Sequence, residues 1–358
     1  MKIIILFLYI LCIHSWKPLP MIKKTILPSK GKIQFVSAKK NNSLFGYYSD
    51  STFKLTEKIG NKFNTKGWTL KFPCDFIQDL DFEQWNGETH HLVTCYDKKD
   101  DLNRVYLNNK RLFYSKTSIL QSLLVTSSNS LMSVIICRNG EISMFNQSRA
   151  PESNVTNESF HFFKTPHTIS QVQLNHENLS LYLLDSMGAI STFSLEKFKI
   201  VDLYNLKILF PITSFYMDDL NQNLLVSLLN KQIILFRKDE TNGQIPIFSK
   251  NMNTLALKVF VDNKKMMILC ENENVLCLKN NGEPYFELPK IFNRNFFYKW
   301  HVFSNTLLVD GDHDGLVIYS ITGPKPEKFS YLKYIMDIPV FNSSQLKSNW
   351  SHPNSKGF

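Results

Sequence analysis

The sequence has little glycine and lacks the short motifs that mark common catalytic sites. It contains 13 glycines in 358 residues, mostly in turns. There is no Gly-x-Ser-x-Gly turn, which would expose a nucleophilic serine, and no Gly-x-x-x-x-Gly-Lys loop, whose backbone amides would hold phosphate groups. We therefore predict a protein without enzymatic activity, cofactor or small-molecule substrate.

Metal-binding spacings are missing as well. No Cys-x-x-Cys pair and no cysteine and histidine spacing suits zinc. His90 and His91 are adjacent in a predicted strand, so their side chains should point to opposite faces and cannot hold one ion together. The segment Asp310–Gly315 begins like a calcium-binding loop, but Ile321 stands where the twelfth position should be a glutamate. We predict a polar turn there and no metal site.

Cysteines are few, and we predict that they are buried thiols rather than disulfides. Four lie in or beside apolar runs, where a free cysteine acts as a small hydrophobic side chain. Cys270 and Cys277 could face each other across two strands, although antiparallel partners usually lie at a distance that strains a disulfide. The six cysteines are Cys12, Cys74, Cys95, Cys137, Cys270 and Cys277.

Helical periodicity is absent over any useful length, and a repeated strand pattern takes its place. In the stretch 181–194, an apolar run is followed by a polar turn with Gly188 and then by an alternating apolar run. The same pattern recurs along the chain. The 28 phenylalanines and 14 tyrosines also favour sheet over helix. The sequence therefore predicts an all-β protein.

The repeat defines seven modules. Their first strands are predicted to begin near Lys32, Ile77, Ile119, Ile169, Ile212, Thr254 and Phe297, at intervals of 45, 42, 50, 43, 42 and 43 residues. We attribute the long third interval to an extended loop at Asn146–Ser159. Such a period, with several short strands in each unit, is typical of propeller blades. We predict a seven-bladed β-propeller with about four antiparallel strands per blade.

Over roughly residues 32–335 the chain resembles the WD40-like propeller family. The resemblance is architectural, because no Trp-Asp pair closes a third strand and no Gly-His pair opens a blade. The departure removes the family's usual Asp-His-Ser/Thr-Trp hydrogen bonds inside blades, so apolar stacking between blades should carry more of the stability. What the resemblance implies is an interaction platform, and it does not name a partner.

The ends of the chain differ from the repeat. Residues 1–20 form a signal-like apolar leader, too short to span a bilayer, or precede a true start at Met21. Residues 21–335 are predicted to form a single propeller, and 336–358 an irregular tail. Either 22–27 or 329–334 could supply the outer strand of the last blade, and we favour a contribution from both termini because an open ring would leave exposed edges.

Seven Asn-x-Ser/Thr sites would suit a secreted protein. Their number is close to what chance gives in a chain this rich in Asn, Ser and Thr, so it discriminates little. The sites begin at Asn41, Asn146, Asn154, Asn157, Asn178, Asn342 and Asn349.

Positive charge is concentrated in the first 72 residues. They hold thirteen lysines and two acids, an excess of eleven positive charges in a chain whose net charge is +10. Lysines in predicted turns could follow a phosphate backbone or bind an acidic partner while neighbouring aromatic residues stack on bases. Alternatively, the lysines keep a first blade soluble and the aromatics are its core. The candidate contact residues are Lys23, Lys24, Lys39, Lys40, Lys58, Lys62 and Lys66, interleaved with Phe35, Tyr47, Tyr48, Phe53 and Trp68.

These observations favour a non-catalytic scaffold that binds other proteins of a multiprotein assembly. The basic first blade makes RNA a candidate partner, in a ribonucleoprotein or ribosome-assembly complex of the nucleus or cytoplasm. The alternative is a secreted or ER-lumenal binding propeller, which the leader would direct into the secretory pathway. We expect no stable membrane span in either case.

Overall fold

Short segments of alternating polarity, separated by tight turns, become strands in the structure, which is a computed structural model. It describes residues 21–27, 33–39, 44–49, 52–59, 62–69, 76–127, 129–149, 156–204, 206, 208–238, 244–261, 265–272, 274–288, 301–303, 306–311 and 315–322. These residues all belong to one compact unit, Leu19–Thr322. The leader, the predicted tail 336–358 and the segment 329–334 lie outside the described residues.

Twenty-eight strands and no helix occur in this part of the chain, which confirms the all-β prediction. They form seven four-stranded antiparallel sheets, consistent with a propeller-like fold, and we number the sheets in chain order. Sheet 1 contains β2 (Ile33–Lys39), β3 (Leu44–Ser49), β4 (Thr52–Ile59) and β5 (Lys62–Thr69). Sheet 2 contains β6 (Phe76–Trp85), β7 (Glu88–Asp97), β8 (Leu102–Leu107) and β9 (Lys110–Ser115). Sheet 3 contains β10 (Ile119–Thr126), β11 (Ser130–Cys137), β12 (Glu141–Arg149) and β13 (Thr156–Lys164).

The remaining sheets follow the same order. Sheet 4 contains β14 (Ile169–Asn175), β15 (Ser180–Asp185), β16 (Ile190–Ser194) and β17 (Lys199–Tyr204). Sheet 5 contains β18 (Ile212–Asp218), β19 (Asn223–Leu228), β20 (Gln232–Lys238) and β21 (Gln244–Asn251). Sheet 6 contains β22 (Ala256–Val261), β23 (Lys265–Cys270), β24 (Val275–Lys279) and β25 (Pro284–Leu288). Sheet 7 contains β26 (His301–Phe303), β27 (Thr306–Gly311), β28 (Gly315–Thr322) and, as its fourth strand, β1 (Met21–Leu27).

The predicted first strands of six modules begin within two residues of the observed ones. In each of these strands the pairing with the second strand skips one residue near its start. A bulge of this kind bends the strand and redirects the side chains that follow. The skipped residues are Gln34, Gln78, Leu120, Ser170, Thr213 and Leu257. The seventh predicted start, Phe297, lies outside the described residues.

The segment Asn146–Ser159 is a correction to the sequence prediction. Most of it is strand rather than loop, because β12 and β13 pair residue for residue from Glu141 and Lys164 out to Arg149 and Thr156. The third interval is long because this outer hairpin is long. Its distal half is polar on both faces, so it carries no alternation from which a strand could be predicted.

The second strands of sheets 3, 5 and 6 are the most buried strands of those sheets, as their apolar sequences predict. Every residue of β19 and of β23 is buried. The apolar clusters lie between consecutive sheets: Val134 and Ile136 of sheet 3, for example, share a cluster with Leu183 and Phe193 of sheet 4. Full burial of such a side chain contributes about 1.5–3 kcal/mol, so this stacking is a large stabilising term.

Hydrogen bonds between first strands add a polar connection that the sequence did not predict. The side-chain amide of Gln173 in sheet 4 donates to the carbonyl of Met217 in sheet 5 at 2.7 Å and accepts from the N–H of Met217 at 2.7 Å. Gln171 bonds both backbone groups of Phe215 in the same way, at 2.9 and 3.2 Å. Two glutamine side chains therefore tie sheet 4 to the backbone of sheet 5.

Sheets 2 and 3 are joined by the corresponding positions. The carboxylate of Asp79 accepts from the N–H of Ser122 at 3.0 Å, and that of Asp81 accepts from the N–H of Leu124 at 2.8 Å. Asp79 directly follows a bulge, as Gln171 does, and Asp81 and Gln173 follow two residues later. The bulge thus aims two polar side chains of one sheet at the next in both places.

The N-terminal strand completes the last sheet. β1 pairs with β28 over seven consecutive residues, from Met21 opposite Thr322 to Leu27 opposite Leu316. Of the two segments predicted as candidates for the outer strand, 22–27 is the one found there, and 329–334 lies outside the described residues. β2 in turn contacts β26 and β27, so sheet 7 borders sheet 1.

Candidate interaction surface

The lysines predicted to lie in turns lie mostly in strands. Lys23 and Lys24 are in β1, Lys58 is in β4, and Lys62 begins β5. Lys39 is the last residue of β2, and Lys66 is in the middle of β5. Lys40 lies outside the described residues. The prediction of turns was wrong for the six described lysines because outer strands and strand ends are solvated enough to accept charge, so lysine does not mark a turn there.

Strand direction nevertheless brings several of these lysines to one edge of sheet 1, by which we mean one end of its strands, where the turns lie. The β2–β3 and β4–β5 connections lie on the same edge, because each follows a strand running in the same direction. Lys39 is the last residue of β2, and Lys58 and Lys62 flank the β4–β5 turn. Three lysines that are distant in sequence therefore end two neighbouring hairpins.

Sheet 7 extends this edge. Lys23 of β1 is paired with Ser320 of β28, and Ser320 is paired on its other side with Thr306, the first residue of β27. Lys23 is therefore level with the β26–β27 connection. That connection lies on the edge of sheet 7 that corresponds to the β2–β3 turn of sheet 1. Because sheet 7 borders sheet 1, lysines from both sheets lie along adjoining edges. We call Lys23, Lys39, Lys58 and Lys62 the basic edge and leave out Lys24, which lies in the middle of β1 opposite Tyr319.

Lys66 lies apart from this group. It is opposite Leu55 in the middle of the β4–β5 pair, and its side chain is exposed. The adjacent residues Asn64, Thr65 and Gly67 are exposed too, so this part of β5 is a solvated outer strand. We therefore do not include Lys66 in the basic edge.

The aromatic residue Phe53 is part of the core rather than a stacking platform. Its side chain is 0% exposed, and its ring centroid is 5.9 Å from those of Phe82 and His91 in sheet 2. The packing is tight enough to require glycine at position 46, where a Cβ would lie 2.5 Å from the Phe82 ring. The other aromatic candidates have no described side chain. For Phe53 the interpretation as core is confirmed.

The adjacent histidines make separate contacts. The Nδ1 atom of His90 is 2.8 Å from the side-chain nitrogen of Asn108, and its ring packs against Trp85. His91 packs against Phe53, and burial lowers the pKa of His91 to about 4. Among the residues that the structure describes, no three acidic, histidine or cysteine side chains are grouped to hold a metal ion. Of Asp310–Gly315, residues 312–314 lie outside the described residues, and the flanking ones end β27 and begin β28.

Cysteine chemistry differs from the prediction at one position. Cys137, Cys270 and Cys277 are buried free thiols, as predicted. Cys95, in contrast, is disulfide-bonded, so the prediction of a thiol there was wrong. Cys12 and Cys74 lie outside the described residues. Disulfide connectivity leaves no pattern in a single sequence, which is why this bond was missed.

Lys258 of sheet 6 and Asp79 of sheet 2 interact electrostatically, although the two sheets are not consecutive in the chain. Burial lowers the pKa of Lys258 in β22 to about 8, and the negative charge of Asp79 in β6 opposes this shift. Both residues directly follow the bulge of their first strand. Three sheets separate sheets 2 and 6 in sequence, yet the charges of these two residues act on each other. The first strands of sheets 2 and 6 therefore face a common space.

A polar cluster lies at the tips of sheets 4 and 5. The Tyr182 hydroxyl and the side-chain amide of Asn175 both donate to the carboxylate of Asp219. Burial, the first cause, and the bond to Asp219 raise the pKa of the Tyr182 hydroxyl well above its usual value. These groups satisfy one another, so the cluster joins the two hairpins.

Comparison with known proteins adds no assignment. No family model matches the chain, and no curated protein matches it. In the part of the chain that the structure describes, no helix is long and apolar enough to cross a membrane.

Proposed function

We propose that this chain is a seven-bladed, WD40-like β-propeller that acts as a non-catalytic binding platform, with the basic edge as its contact surface. The observation that carries the proposal is the gathering of lysines from β1, β2, β4 and β5 along adjoining edges of sheets 7 and 1. Like charges placed together repel one another, and an anionic partner relieves this repulsion.

Three features support the ring. The first strands share a bulge at the same position in six sheets, consecutive first strands are joined by side-chain hydrogen bonds, and β1 from the N-terminal end lies in the same sheet as β26–β28. The last feature joins the ends of the repeat and removes two open edges, as a closed propeller requires. A propeller presents hairpin edges as a broad surface, which suits a scaffold inside a multiprotein assembly.

The chemistry of the basic edge suits phosphates or carboxylates without sequence specificity. Lysine is a point charge on a flexible stem, and lysine contacts to a nucleic-acid backbone carry no base readout. Phe53 is buried and therefore cannot stack on a base. We propose an acidic protein or RNA as partner, with an intracellular ribonucleoprotein assembly as the setting for RNA.

Charge reversal tests the proposal. The variant Lys39→Glu, Lys58→Glu, Lys62→Glu should lose binding to labelled single-stranded RNA, and binding by the wild type should fall steeply with added salt because counterions are released. The matched control Lys116→Glu, Lys197→Glu, Lys199→Glu makes the same change in net charge at exposed lysines of sheets 3 and 4.

The two variants separate local from general electrostatics. Equal loss in both would mean that net charge rather than the basic edge governs binding. No RNA binding by the wild type even at low salt would remove RNA as the partner, and an acidic protein would remain as the proposal. An unchanged affinity in the basic-edge variant would overturn the assignment of the surface.

A second setting is favoured by one observation, the disulfide at Cys95. Disulfides persist in secreted and lumenal proteins and are rare in the reducing cytosol and nucleus. A binding propeller of the secretory pathway would use the same basic edge for an acidic lumenal or extracellular partner. Thiol labelling of the freshly isolated protein, unfolded in denaturant without reductant, tests this setting, because unfolding exposes the buried Cys95 and it should then resist labelling only if the disulfide is formed.

A further inference from the structure

Sheets 4 and 5 carry exposed apolar side chains on one edge. The basic edge lies at connections where first strands end, whereas the β15–β16, β17–β18 and β19–β20 connections lie at the edge where the first strands β14 and β18 begin. Apolar residues grouped on one surface mark a contact site for another molecule. Four large apolar residues of these three connections are exposed, and we call them the apolar edge: Met187, Leu209, Phe210 and Leu229.

The exposure of Leu209 is fixed by the packing beneath it. Leu206 and Ile208 of the same connection pack against the apolar cluster between sheets 4 and 5. The N–H of Leu229 donates to the carbonyl of Pro211 at 2.9 Å, which joins the β17–β18 connection to the β19–β20 turn. The connection therefore buries two of its apolar residues and holds Leu209, which is 95% exposed, away from the core.

Met187 is held outward by an ordered turn as well. The carboxylate of Asp185 accepts from the N–H groups of Met187 and Ala189, each at 2.9 Å, and the Met187 side chain remains 74% exposed. Gln171 and Gln173 tie β14 to β18, and the two strands run in the same direction. The β15–β16 turn of sheet 4 therefore lies at the same edge as the β19–β20 turn of sheet 5.

The charges beside the apolar edge are positive. The carbonyl of Arg138 accepts from the N–H of Ile169, the first residue of β14, at 2.9 Å, which places Arg138 at this edge. Arg138 and Lys231, in the β19–β20 turn, are exposed. No acidic residue occurs in the connections at this edge of sheets 3, 4 and 5, which are residues 138–140, 165–168, 186–189, 205–211 and 229–231. A partner that fits this surface accepts apolar side chains and carries negative charge.

An anionic bilayer interface matches this surface better than a protein does. A side chain that is almost fully exposed lines no groove of its own chain, whereas the anchors of protein interfaces fill packed pockets. Lipid has no fixed shape, so its interface accepts protruding apolar side chains while anionic headgroups attract the cations beside them. Leucine, phenylalanine and methionine next to arginine and lysine give the apolar edge this amphipathic character.

We propose that the apolar edge is a peripheral membrane-binding surface that inserts Leu209 and Phe210 into the interface of an anionic bilayer. Arg138 and Lys231 bind the lipid headgroups. The inference goes beyond the proposed function and does not depend on the basic edge, which lies where first strands end. Binding through the apolar edge leaves the basic edge available to its own partner.

Co-sedimentation of the full-length chain with lipid vesicles tests the proposal. The chain should bind vesicles that contain phosphatidylserine, bind pure phosphatidylcholine vesicles roughly tenfold more weakly, and lose affinity as salt is added. Leu209→Asp should lower the affinity for the anionic vesicles roughly tenfold or more, because a charge replaces the inserted leucine. Its melting temperature should equal that of the wild type, because Leu209 is almost fully exposed.

The matched control is Leu220→Asp. It makes the same change at a 78% exposed leucine in the β18–β19 turn, on the opposite edge of sheet 5. This variant should bind the anionic vesicles as the wild type does. Residues 1–20 are present in every variant, so differences between variants report the apolar edge and not the apolar leader.

The cations have their own pair of variants. Arg138→Glu combined with Lys231→Glu should weaken binding to phosphatidylserine vesicles, because the headgroups would then meet like charge. Lys197→Glu combined with Lys199→Glu makes the same change in net charge at exposed lysines around the β16–β17 connection, on the opposite edge of sheet 4. This second pair should leave vesicle binding unchanged.

No sedimentation of the wild type with anionic vesicles, wild-type affinity in Leu209→Asp, or an equal loss in Leu220→Asp would each overturn the inference. Loss of an acidic protein partner rather than of vesicles in Leu209→Asp would make the apolar edge a protein-docking site and would overturn it too. Binding of labelled RNA should be the same in Leu209→Asp and the wild type, so failure of this inference and failure of the basic edge are distinguishable.

Discussion

Replacing Gln173 by alanine should destabilise the protein through the junction of sheets 4 and 5. The Gln173 side chain bonds both backbone groups of Met217, each at 2.7 Å, and Met217 is 6% exposed. The variant leaves a buried N–H and a buried C=O without this partner. Each such group costs about 1–2 kcal/mol, which gives about 2–4 kcal/mol in the free energy of unfolding.

Chemical denaturation measures the loss directly, and thermal melting should show a fall of roughly 3–6 °C for a domain of this size. Gln232→Ala is the matched control, because the Gln232 amide bonds only exposed side chains of sheet 5: it donates to the Ser249 hydroxyl at 2.8 Å and accepts from the Asn230 amide at 3.4 Å. Its unfolding free energy should change by less than about 0.5 kcal/mol. Hydrogen exchange at the Met217 N–H should also become faster in Gln173→Ala and remain slow in the control.

Equal stability of the two variants would refute the reasoning. It would mean that the first strands of sheets 4 and 5 are not held side by side by the glutamine, and that apolar stacking alone joins the sheets. A loss in Gln173→Ala without faster exchange at Met217 would point to a different partner for the amide. Either result would remove one support of the radial arrangement.

Three further predictions concern packing, pH and the terminal strand. Gly46→Ala should cost about 1–3 kcal/mol in denaturant unfolding, because the added Cβ meets the Phe82 ring at 2.5 Å in a packed core, and an unchanged midpoint would contradict this packing. His91 has a folded pKa of about 4, below its unfolded value, so stability should be complete above about pH 6.5 and fall as the pH drops toward 4, by about 2 kcal/mol at pH 5. The variant His91→Phe should lose this part of the pH dependence, and an unaltered profile would exclude His91 as its source. Deleting residues 21–27 should lower the melting temperature sharply, because β28 loses its partner along seven residues, whereas an unchanged melt would show that β1 does not complete sheet 7.

The sequence predicted strand positions well because alternation and turn residues are local signals. Strand starts at Ile119, Ile169 and Ile212 were placed correctly from apolar periodicity alone. The hairpin around Asn146–Ser159 was missed because its two polar faces give no alternation. Lysines at strand ends were taken for turn residues because charge indicates solvation, not backbone conformation.

Features that depend on distant residues were beyond the sequence. The bonds of Gln171 and Gln173 to the next sheet join segments 44 residues apart in the chain. A signal was nevertheless present: polar side chains two residues apart near the start of a first strand, as at Asp79 and Asp81. In a single sequence this pattern looks the same as ordinary strand alternation. Only the neighbouring sheet gives it meaning.

The measurement that tests the account most directly is the number and order of sheets around the ring in a crystallographic electron-density map. The account predicts seven four-stranded sheets in a closed circle, with residues 21–27 as the outer strand of the seventh and the basic edge spanning the junction of sheets 7 and 1. Six or eight sheets, a gap between sheets 6 and 7, or residues 21–27 placed away from β28 would contradict it.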